Sequence, residues 1–256
     1  MIVSEVMTTE LVTVTPDDTL SHAANLLRQN TFHHLPVVKP SHTQRTWITE
    51  RQTQQSNAVL EGLLTSQDIE MAVAIGSKNA GDAVQRPWQE QHVAEVMHSA
   101  SITVTPTTSV AAAAQLLVER GLNCLPVVDY VDVEGREQDA ESEPPAVLVG
   151  LLTRSDILIA LARALGAFQP GMELRIPLPA GDMTPLTNLL LLTEELHIKV
   201  QSILAGPLEG NLPRVATVRL GTIYPTPLLL RLHEKNIQYT FVDPQLKGGS
   251  DDKRVN

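Results

Sequence analysis

The sequence is poor in aromatic residues and in cysteine. Only 3% of its 256 residues are aromatic, and Cys124 is its single cysteine. One cysteine excludes both a disulfide within the chain and a zinc site made of several cysteines. Small aliphatic side chains must therefore pack the core, and Cys124, which lies in an apolar run, is expected to be a small buried hydrophobic residue.

Basic residues and long apolar segments are also scarce. The chain has 19 Lys and Arg against 29 Asp and Glu, a net charge of −10. This charge argues against nucleic acid or an anionic membrane as a partner, although one or two cations would suffice for a small phosphorylated ligand. The apolar runs are far shorter than the ~20 residues of a membrane span, and the N-terminus lacks the pattern of a signal peptide. We therefore predict a cytoplasmic protein.

Five short blocks of the sequence occur twice in the same order. Val6-Met7, Thr13–Pro16 and Leu35–Val38 return 90 residues later, whereas Gly62–Thr65 and Asp68 return 88 residues later. Chance does not produce five matches in one order, so this part of the chain is a tandem repeat. The repeat predicts units at 1–75 and 92–167, joined by a linker at 76–91.

Each unit is predicted to fold as strand, helix, strand, strand, helix. Alternating apolar and Thr residues favour a short first strand that ends at Pro16 and at Pro106. Apolar residues at helical spacing, and apolar runs of strand length, predict the other elements. The predicted helices are Thr19–Gln29, Ile69–Ala74, Val110–Arg120 and Ile157–Leu165, and the strands of the first unit are Leu35–Val38 and Val59–Leu64. Polar insertions at 39–57 and 129–145, the second of them acidic, are expected to be exposed loops.

The pattern changes in the last third of the chain. Residues 171–244 are predicted to form strand, helix, strand, strand, helix, strand, which is the order of a ferredoxin-like fold. The helices are expected to begin at Thr184-Pro185, with Thr184 as the N-cap, and at Thr226-Pro227. The predicted strands are Met172–Leu178, Lys199–Leu204, Arg214–Leu220 and Ile237–Val242. Residues 245–256 would be a flexible tail, and the whole chain is assigned to the α+β class.

Each repeat carries Gly-Leu-Leu-Thr-x-x-Asp at its last strand-to-helix junction, and this pair resembles the CBS domain pair, also called a Bateman module. The third region resembles an ACT domain, and the layout is similar to that of bacterial CBS/ACT proteins of the acetoin-utilisation-regulator type. The resemblance implies two βαββα units packed as a pseudo-twofold pair. It also implies an adenine nucleotide in the cleft between them.

Physical chemistry also favours a ligand at Thr65–Asp68 and Thr153–Asp156. A strand-to-helix junction offers free backbone N–H groups and the positive end of a helix dipole to a phosphate. An Asp in the first turn can accept hydrogen bonds from both ribose hydroxyls, and a Thr hydroxyl can bond a phosphate oxygen. The alternative is a helix capping box, in which Thr and Asp only satisfy the backbone.

The resemblance places ribose and phosphate at these junctions and the base against the Thr-Val-Thr-Pro segments and the start of the next strand. In the first unit the implied nucleotide-binding residues are Thr13, Val14, Thr15, Pro16, His33, His34, Leu35, Pro36, Thr65, Ser66 and Asp68. In the second unit they are Thr103, Val104, Thr105, Pro106, Cys124, Leu125, Pro126, Thr153, Arg154 and Asp156.

The two copies differ in their basic residues. Arg154 directly follows its Thr and is expected to face the phosphate, whereas the first copy has Ser66 and Gln67 there. Arg154 could equally be a solvated surface residue. The first copy instead has His33 and His34 before its strand, where related modules can supply a basic phosphate contact.

Asn123 and Cys124 hold the matching positions of the second unit and cannot supply that contact. The two histidines could equally be a polar entry to the strand. They could also be metal ligands, although the sequence offers no evident third ligand.

The first turn of the third region is a candidate effector site. ACT domains typically have an acidic-x-Pro-Gly sequence there, whose backbone contacts an amino acid. Here Gly181, Asp182 and Met183 follow a rearranged order, so the turn could equally be structural or dimerising.

The sequence has no G-x-S-x-G, P-loop or H-E-x-x-H motif, so we predict a non-catalytic protein without a catalytic cofactor or metal. It would bind AMP, ADP, ATP or a related adenosyl ligand and transmit its state to an unidentified protein target or to the ACT-like domain. We expect a homodimer or larger assembly, to which the closing helices Ile69–Ala74 and Ile157–Leu165 contribute. The alternative is a scaffold that binds no ligand and only dimerises.

Overall fold

The computed structural model describes residues 1–40, 58–78, 87–130, 145–206, 208–209 and 212–241. Contacts divide the chain into two compact units, Met1–Leu158 and Ile159–Asn256. Most of the two polar insertions, part of the linker and the tail lie outside the described residues, so their exposure stays a prediction, as do the domain boundaries. None of the described helices is long and apolar enough to cross a membrane.

Both sequence repeats form a helix, two strands and a closing helix, as predicted. The elements of the first are α1 Leu20–Asn30, β1 His34–Pro40, β2 Ala58–Thr65 and α2 Ser66–Lys78, and those of the second are β3 His98–Ser99, α3 Val110–Glu119, β4 Cys124–Tyr130, β5 Ala146–Thr153 and α4 Arg154–Ala164. The side chains of Thr19 and Ser109 accept backbone hydrogen bonds at the starts of α1 and α3. Gly121, with φ of 64°, follows the end of α3 in the left-handed conformation that glycine adopts readily.

The first strand of each repeat was predicted too long, since the structure has only a single bridge residue there. The isolated parallel bridges are Val14–Val37 and Val104–Val127. In the first repeat the ladder stops after Val14 because the N–H of Thr15 donates to the Asp18 carboxylate at 2.6 Å and Pro16 has no N–H.

The first sheet relates the two repeats by a local two-fold axis. Its strand order is β1-β2-β5-β4, with β3 added to β2, and its neighbouring strands are antiparallel. β2 and β5 meet at Val59 and Val147, which are equivalent positions 88 residues apart. Two equivalent residues that pair antiparallel with each other are related by a two-fold rotation. The predicted pseudo-twofold pair is therefore present.

Each repeat is completed by the segment that precedes the other repeat. Val3 is buried in the core of the second repeat, and Val93 is buried in the core of the first. The Val3 N–H donates to the Thr108 carbonyl at 2.9 Å, and the Val93 N–H donates to the Asp18 carbonyl at 2.8 Å. Further along these segments the equivalent pairs are Thr8–Leu151 and His98–Leu63. This exchange carries the segments before α1 and α3 across to the Thr-x-x-Asp junctions.

The second unit contains one four-stranded antiparallel sheet and a separate two-stranded hairpin. Its elements are β6 Met172–Pro177, α5 Thr184–Glu195, β7 Val200–Ala205, β8 Leu208–Glu209, β9 Leu212–Pro213, β10 Val215–Leu220, α6 Thr226–Glu234 and β11 Thr240–Phe241. The sheet order is β11-β6-β10-β7, and β8 pairs with β9. Leucine side chains of α5 and α6 bury the inner face of β6 and β10. The predicted α+β class and order of elements are confirmed, with the β8–β9 hairpin added between the second and third main strands.

The predicted N-cap of α5 is wrong. Thr184 lies inside the helix, and Asp182 Oδ1 accepts hydrogen bonds from the Thr184 N–H at 2.9 Å and from its hydroxyl at 2.6 Å. Met183 holds the N-cap position without a side-chain hydrogen bond, and Asp182, one residue before it, satisfies the N–H of the first helical residue.

Candidate functional site

The two Thr-x-x-Asp segments lie at the starts of α2 and α4, which begin three residues earlier than predicted. Asp156 Oδ2 accepts hydrogen bonds from the Thr153 N–H at 2.8 Å and from its hydroxyl at 2.7 Å. The Asp156 N–H donates back to Thr153 Oγ1 at 3.2 Å, and Thr65 and Asp68 repeat this geometry. Both segments are therefore capping boxes, as the alternative interpretation held. In Asp156 the second carboxylate oxygen, Oδ1, has no hydrogen-bond partner among the described residues and can accept from a ligand, whereas Asp68 Oδ1 lies 2.8 Å from His98 Nε2.

A cavity of about 590 Å³ lies between the two repeats beside Asp156. Its walls come from the segment before α1, the loop that enters β1 and the β5–α4 junction. The lining residues are Thr8, Glu10, Leu11, Val12, Thr31, Phe32, His33, His34, Pro36, Asn123, Leu151, Thr153, Arg154, Ser155 and Asp156. This volume falls within the range of ~300–1,000 Å³ that is typical of small-molecule sites.

A smaller cavity, of about 290 Å³, is the counterpart of the larger one in the repeat. Its lining residues are His34, Leu63, Thr65, His98, Ser99, Ala100, Ser101, Ile102, Gly121, Leu122, Asn123 and Cys124. Ile102 and Thr65 are the equivalents of Val12 and Thr153. The repeat thus builds two related cavities of unequal size.

The basic side chains gather at the larger cavity, although the sequence analysis divided them between the two copies. His33 and His34, from the first repeat, line the cavity that also contains Arg154 of the second. The reason is the way the repeats combine, because each cavity joins the β1 or β4 entry of one repeat to the strand-to-helix junction of the other. His34 also lines the smaller cavity.

The protein environment affects both the charge of His34 and the availability of the Arg154 side chain for a ligand. Burial lowers the pKa of His34, the neighbouring His33 lowers it further, and Asp68 acts in the opposite direction. Nη2 of Arg154 donates to the Leu117 carbonyl at 3.2 Å, near the end of α3. The predicted Arg154 cation facing the phosphate is therefore engaged in part by the protein itself.

Many of the predicted binding residues line neither cavity. They are Thr13, Val14, Thr15, Pro16, Leu35, Ser66 and Asp68 in the first repeat and Thr103, Val104, Thr105, Pro106, Leu125 and Pro126 in the second. The apolar wall is formed one residue earlier, by Val12 and Ile102. Sequence reasoning missed these two, although they are a matched apolar pair at the 90-residue offset. It also missed Thr8 and Phe32, which no repeated motif marks.

Cys124 lines the smaller cavity but is only 5% exposed. Burial raises its pKa to about 12, so the thiol stays protonated at neutral pH. The prediction of a small buried hydrophobic residue is confirmed. In the part of the chain that the structure describes, no three His, Cys, Asp or Glu side chains are grouped as a metal ion needs, and His33 and His34 have no third ligand there.

A third cavity, of about 760 Å³, lies within the second unit at the turn Pro179–Gly181. Gly181 and Asp182 line it, together with Arg214 and Lys235, whereas Met183 does not. Gly181 has φ of 77°, and a Cβ there would lie 3.0 Å from Leu212. Hydrogen bonds from the side chain and the backbone of Thr184 lower the pKa of Asp182. These hydrogen bonds thus join the turn to the first residue of α5.

The paired βαββ-type repeats, their exchanged leading segments and the two related cavities define a tandem module of the CBS type. The family model of the CBS domain matches residues 3–45 and 93–163. The chain belongs to the CBS domain family, whose members are usually regulatory.

The CBS domain-containing protein YhcV of Bacillus subtilis is 30% identical over 133 residues, which are 52% of this chain and 76% of that protein. A solved structure of CBSX2 in complex with AMP is 23% identical and covers 62% of this chain and 95% of its own, with a TM-score of 0.42. A solved structure of a putative acetoin utilization protein, AcuB, from Vibrio cholerae is 22% identical and covers 66% and 98%, with a TM-score of 0.44.

Proposed function

We propose that this chain is a non-catalytic regulatory protein that binds an adenine nucleotide, or a related adenosyl ligand, in the larger cavity. The main support for this proposal is the position and bonding of Asp156. It lines the cavity, its Oδ2 is held by Thr153, and its Oδ1 has no hydrogen-bond partner among the described residues. A carboxylate held at one oxygen and open at the other suits a pair of neighbouring ribose hydroxyls.

The rest of the lining supports the same ligand. Leu11, Val12 and Pro36 provide an apolar wall against which a purine could pack. His33 and Arg154 offer hydrogen-bond donors to a phosphate near the start of α4, where backbone N–H groups and the helix dipole also favour an anion. The net charge of −10 does not prevent phosphate binding, because the phosphate would contact local basic side chains and not the average charge of the protein surface.

The variant Asp156→Asn tests the proposal against a purely capping role. If Asp156 accepts ribose hydroxyls as a charged acceptor, its loss should weaken AMP and ATP binding by roughly tenfold to a hundredfold, since a hydrogen bond to a charged group contributes about 1.5–3 kcal/mol. Isothermal titration calorimetry measures the affinity, and the melting temperature reports the cost to the helix, at most about 1 kcal/mol.

The chain offers a matched control in Asp18→Asn. Asp18 Oδ2 accepts from the N–H and the hydroxyl of Thr15 at 2.6 and 2.9 Å, the same pair of hydrogen bonds that Asp156 Oδ2 accepts from Thr153, but Asp18 lines neither cavity. This variant should keep the wild-type affinity. Wild-type AMP affinity in Asp156→Asn would contradict the ribose contact of Asp156, and a wild type that binds no adenine nucleotide would replace the sensor with the ligand-free scaffold.

We further propose that the second unit is an ACT-like domain that receives the nucleotide signal. The order β11-β6-β10-β7 with two helices is that expected of a ferredoxin-like βαββαβ domain. α4 begins at the proposed site and continues into the second unit. Beyond its end, the carbonyls of Leu165 and Gln169 accept hydrogen bonds from Ser202 and Arg219 of that unit's sheet.

A further inference from the structure

Asp68, the counterpart of Asp156, does not line the smaller cavity, whereas His98 lines it and is hydrogen-bonded to the Asp68 carboxylate. Nε2 of His98 lies 2.8 Å from Asp68 Oδ1, and a carboxylate can only accept, so the imidazole N–H donates. Asp68 Oδ2 is held by Thr65, as in the other copy. Both oxygens of Asp68 therefore have protein partners, and its side chain is only 12% exposed.

The larger cavity has no counterpart of this histidine. Thr8 holds the equivalent position, because it bridges Leu151 as His98 pairs with Leu63. Threonine has a shorter side chain than histidine, and Asp156 Oδ1 has no hydrogen-bond partner among the residues that the structure describes. The two copies of the Thr-x-x-Asp motif thus differ in the one acceptor that a ribose would need.

Other differences between the cavities point in the same direction. The smaller cavity has about half the volume of the larger, 290 against 590 Å³. Ser66 and Cys124 hold the positions equivalent to Arg154 and His34, and although His34 also lines the smaller cavity, no Arg or Lys is among its described lining residues. An exposed histidine–carboxylate pair is weak by itself, but here it adds to a smaller and less basic site.

We propose that His98 acts as an internal ligand that closes the smaller cavity, so that each chain binds one nucleotide, in the larger cavity. This inference rests on the proposed nucleotide function and adds its stoichiometry and the residue that sets it. Because 73% of the His98 side chain is exposed, its removal should open the cavity without leaving a hole in the core.

An exchange of the two equivalent residues tests the inference. AMP binding is counted by calorimetry and by native mass spectrometry for the wild type, His98→Thr and Thr8→His. The wild type should bind one AMP per chain, and His98→Thr should gain a second site as the affinity of the smaller cavity rises by roughly tenfold or more. Thr8→His places the imidazole beside Asp156 and should weaken the existing site by a similar factor.

Asp68→Asn separates the two cavities. In the His98→Thr background it should remove the second site, while the larger cavity, which Asp68 does not line, still binds AMP. Two AMP molecules on the wild type, or one on His98→Thr with its melting temperature preserved, would overturn the role of His98 while leaving the larger site intact. Absence of AMP from every variant would instead overturn the nucleotide function itself.

Discussion

His34 is the side chain at which burial and charge act in opposite directions. It lines both cavities, and its pKa lies below the ordinary value of 6.5 because burial disfavours the imidazolium. His33 contributes to this lowering, and the carboxylate of Asp68 opposes it by a smaller amount. The neutral ring is therefore favoured near neutral pH, where it can offer a ligand both a donor and an acceptor.

This lowered pKa predicts a loss of stability in acid. Between the folded pKa and 6.5 the unfolded chain binds more protons at His34 than the folded chain, so the free energy of unfolding falls as the pH falls. The penalty is absent above 6.5, where the ring is neutral in both states, and complete below the folded pKa. His34→Gln should therefore gain stability relative to the wild type as the pH is lowered, measured by urea denaturation from about pH 8 to about pH 5. A difference between the two proteins that stays constant over this range would contradict the buried neutral histidine.

At the scale of elements, the exchanged segments fit the sheet because two equivalent positions are glycine. A Cβ on Gly62 would lie 2.5 Å from the backbone carbonyl oxygen of His98, and a Cβ on Gly150 would lie 2.5 Å from Sδ of Met7. The two sites share one fold but differ in what must move. A backbone carbonyl within a strand pair cannot shift easily, whereas a methionine side chain can change rotamer.

We therefore expect unequal effects from the same substitution. Gly62→Ala should lower the free energy of unfolding by about 1–3 kcal/mol, as overpacking does, and Gly150→Ala by less than about 1 kcal/mol. Urea denaturation of the two variants measures both values, and each variant serves as the control for the other. Equal losses, or a larger loss for Gly150→Ala, would show that the segment of Met7 is the less adaptable one.

The same elements show how far the sequence could be interpreted. Apolar spacing in α1 and α3 and the matched blocks predicted the repeat and its helices, because these depend on local interactions. The exchange of segments could not be predicted. Val3 and Val93 have the same 90-residue offset whether each packs in its own repeat or in the other. The sequence pattern therefore does not distinguish exchanged segments from segments that stay in their own repeat.

For the candidate site too, the local motifs could be predicted from the sequence, but the contacts between segments could not. Asp156 and Thr153 were found because their motif is local and occurs twice. That His33 would join them, and that His98 would bond Asp68, depends on which segment crosses to which junction. No spacing in the sequence encodes that crossing.

At the scale of the whole molecule, the closing helices leave large apolar side chains in water. On α2 Met71 is 59% exposed, and on α4 Leu158 and Leu161 are 66% and 50% exposed. Scattered exposure is normal, but several large apolar residues along two helices that close related repeats suggest a shared interface. Since the repeats are related by a local two-fold axis, a second copy can meet both helices with an isologous surface.

We therefore propose that the chain forms a homodimer through α2 and α4, and we predict that Met71→Lys with Leu158→Lys separates it. A stable interface buries about 800 Å² on each partner, and an unpaired ammonium buried within it costs several kcal/mol, so the dissociation constant should rise by at least about a hundredfold. Light scattering at micromolar concentration should give about twice 27.9 kDa for the wild type and a single chain for the double variant.

Two added lysines bring the net charge of −10 nearer to zero, which by itself favours association, so loss of the dimer would have to come from the helix faces. The control is Val118→Lys, which adds a lysine at a position of α3 that is 77% exposed and should leave the dimer intact. A wild-type monomer would contradict the dimer, and a double variant that stays dimeric would move the interface elsewhere, with the exposed Ile203 and Leu204 of the edge strand β7 as the next surface to change.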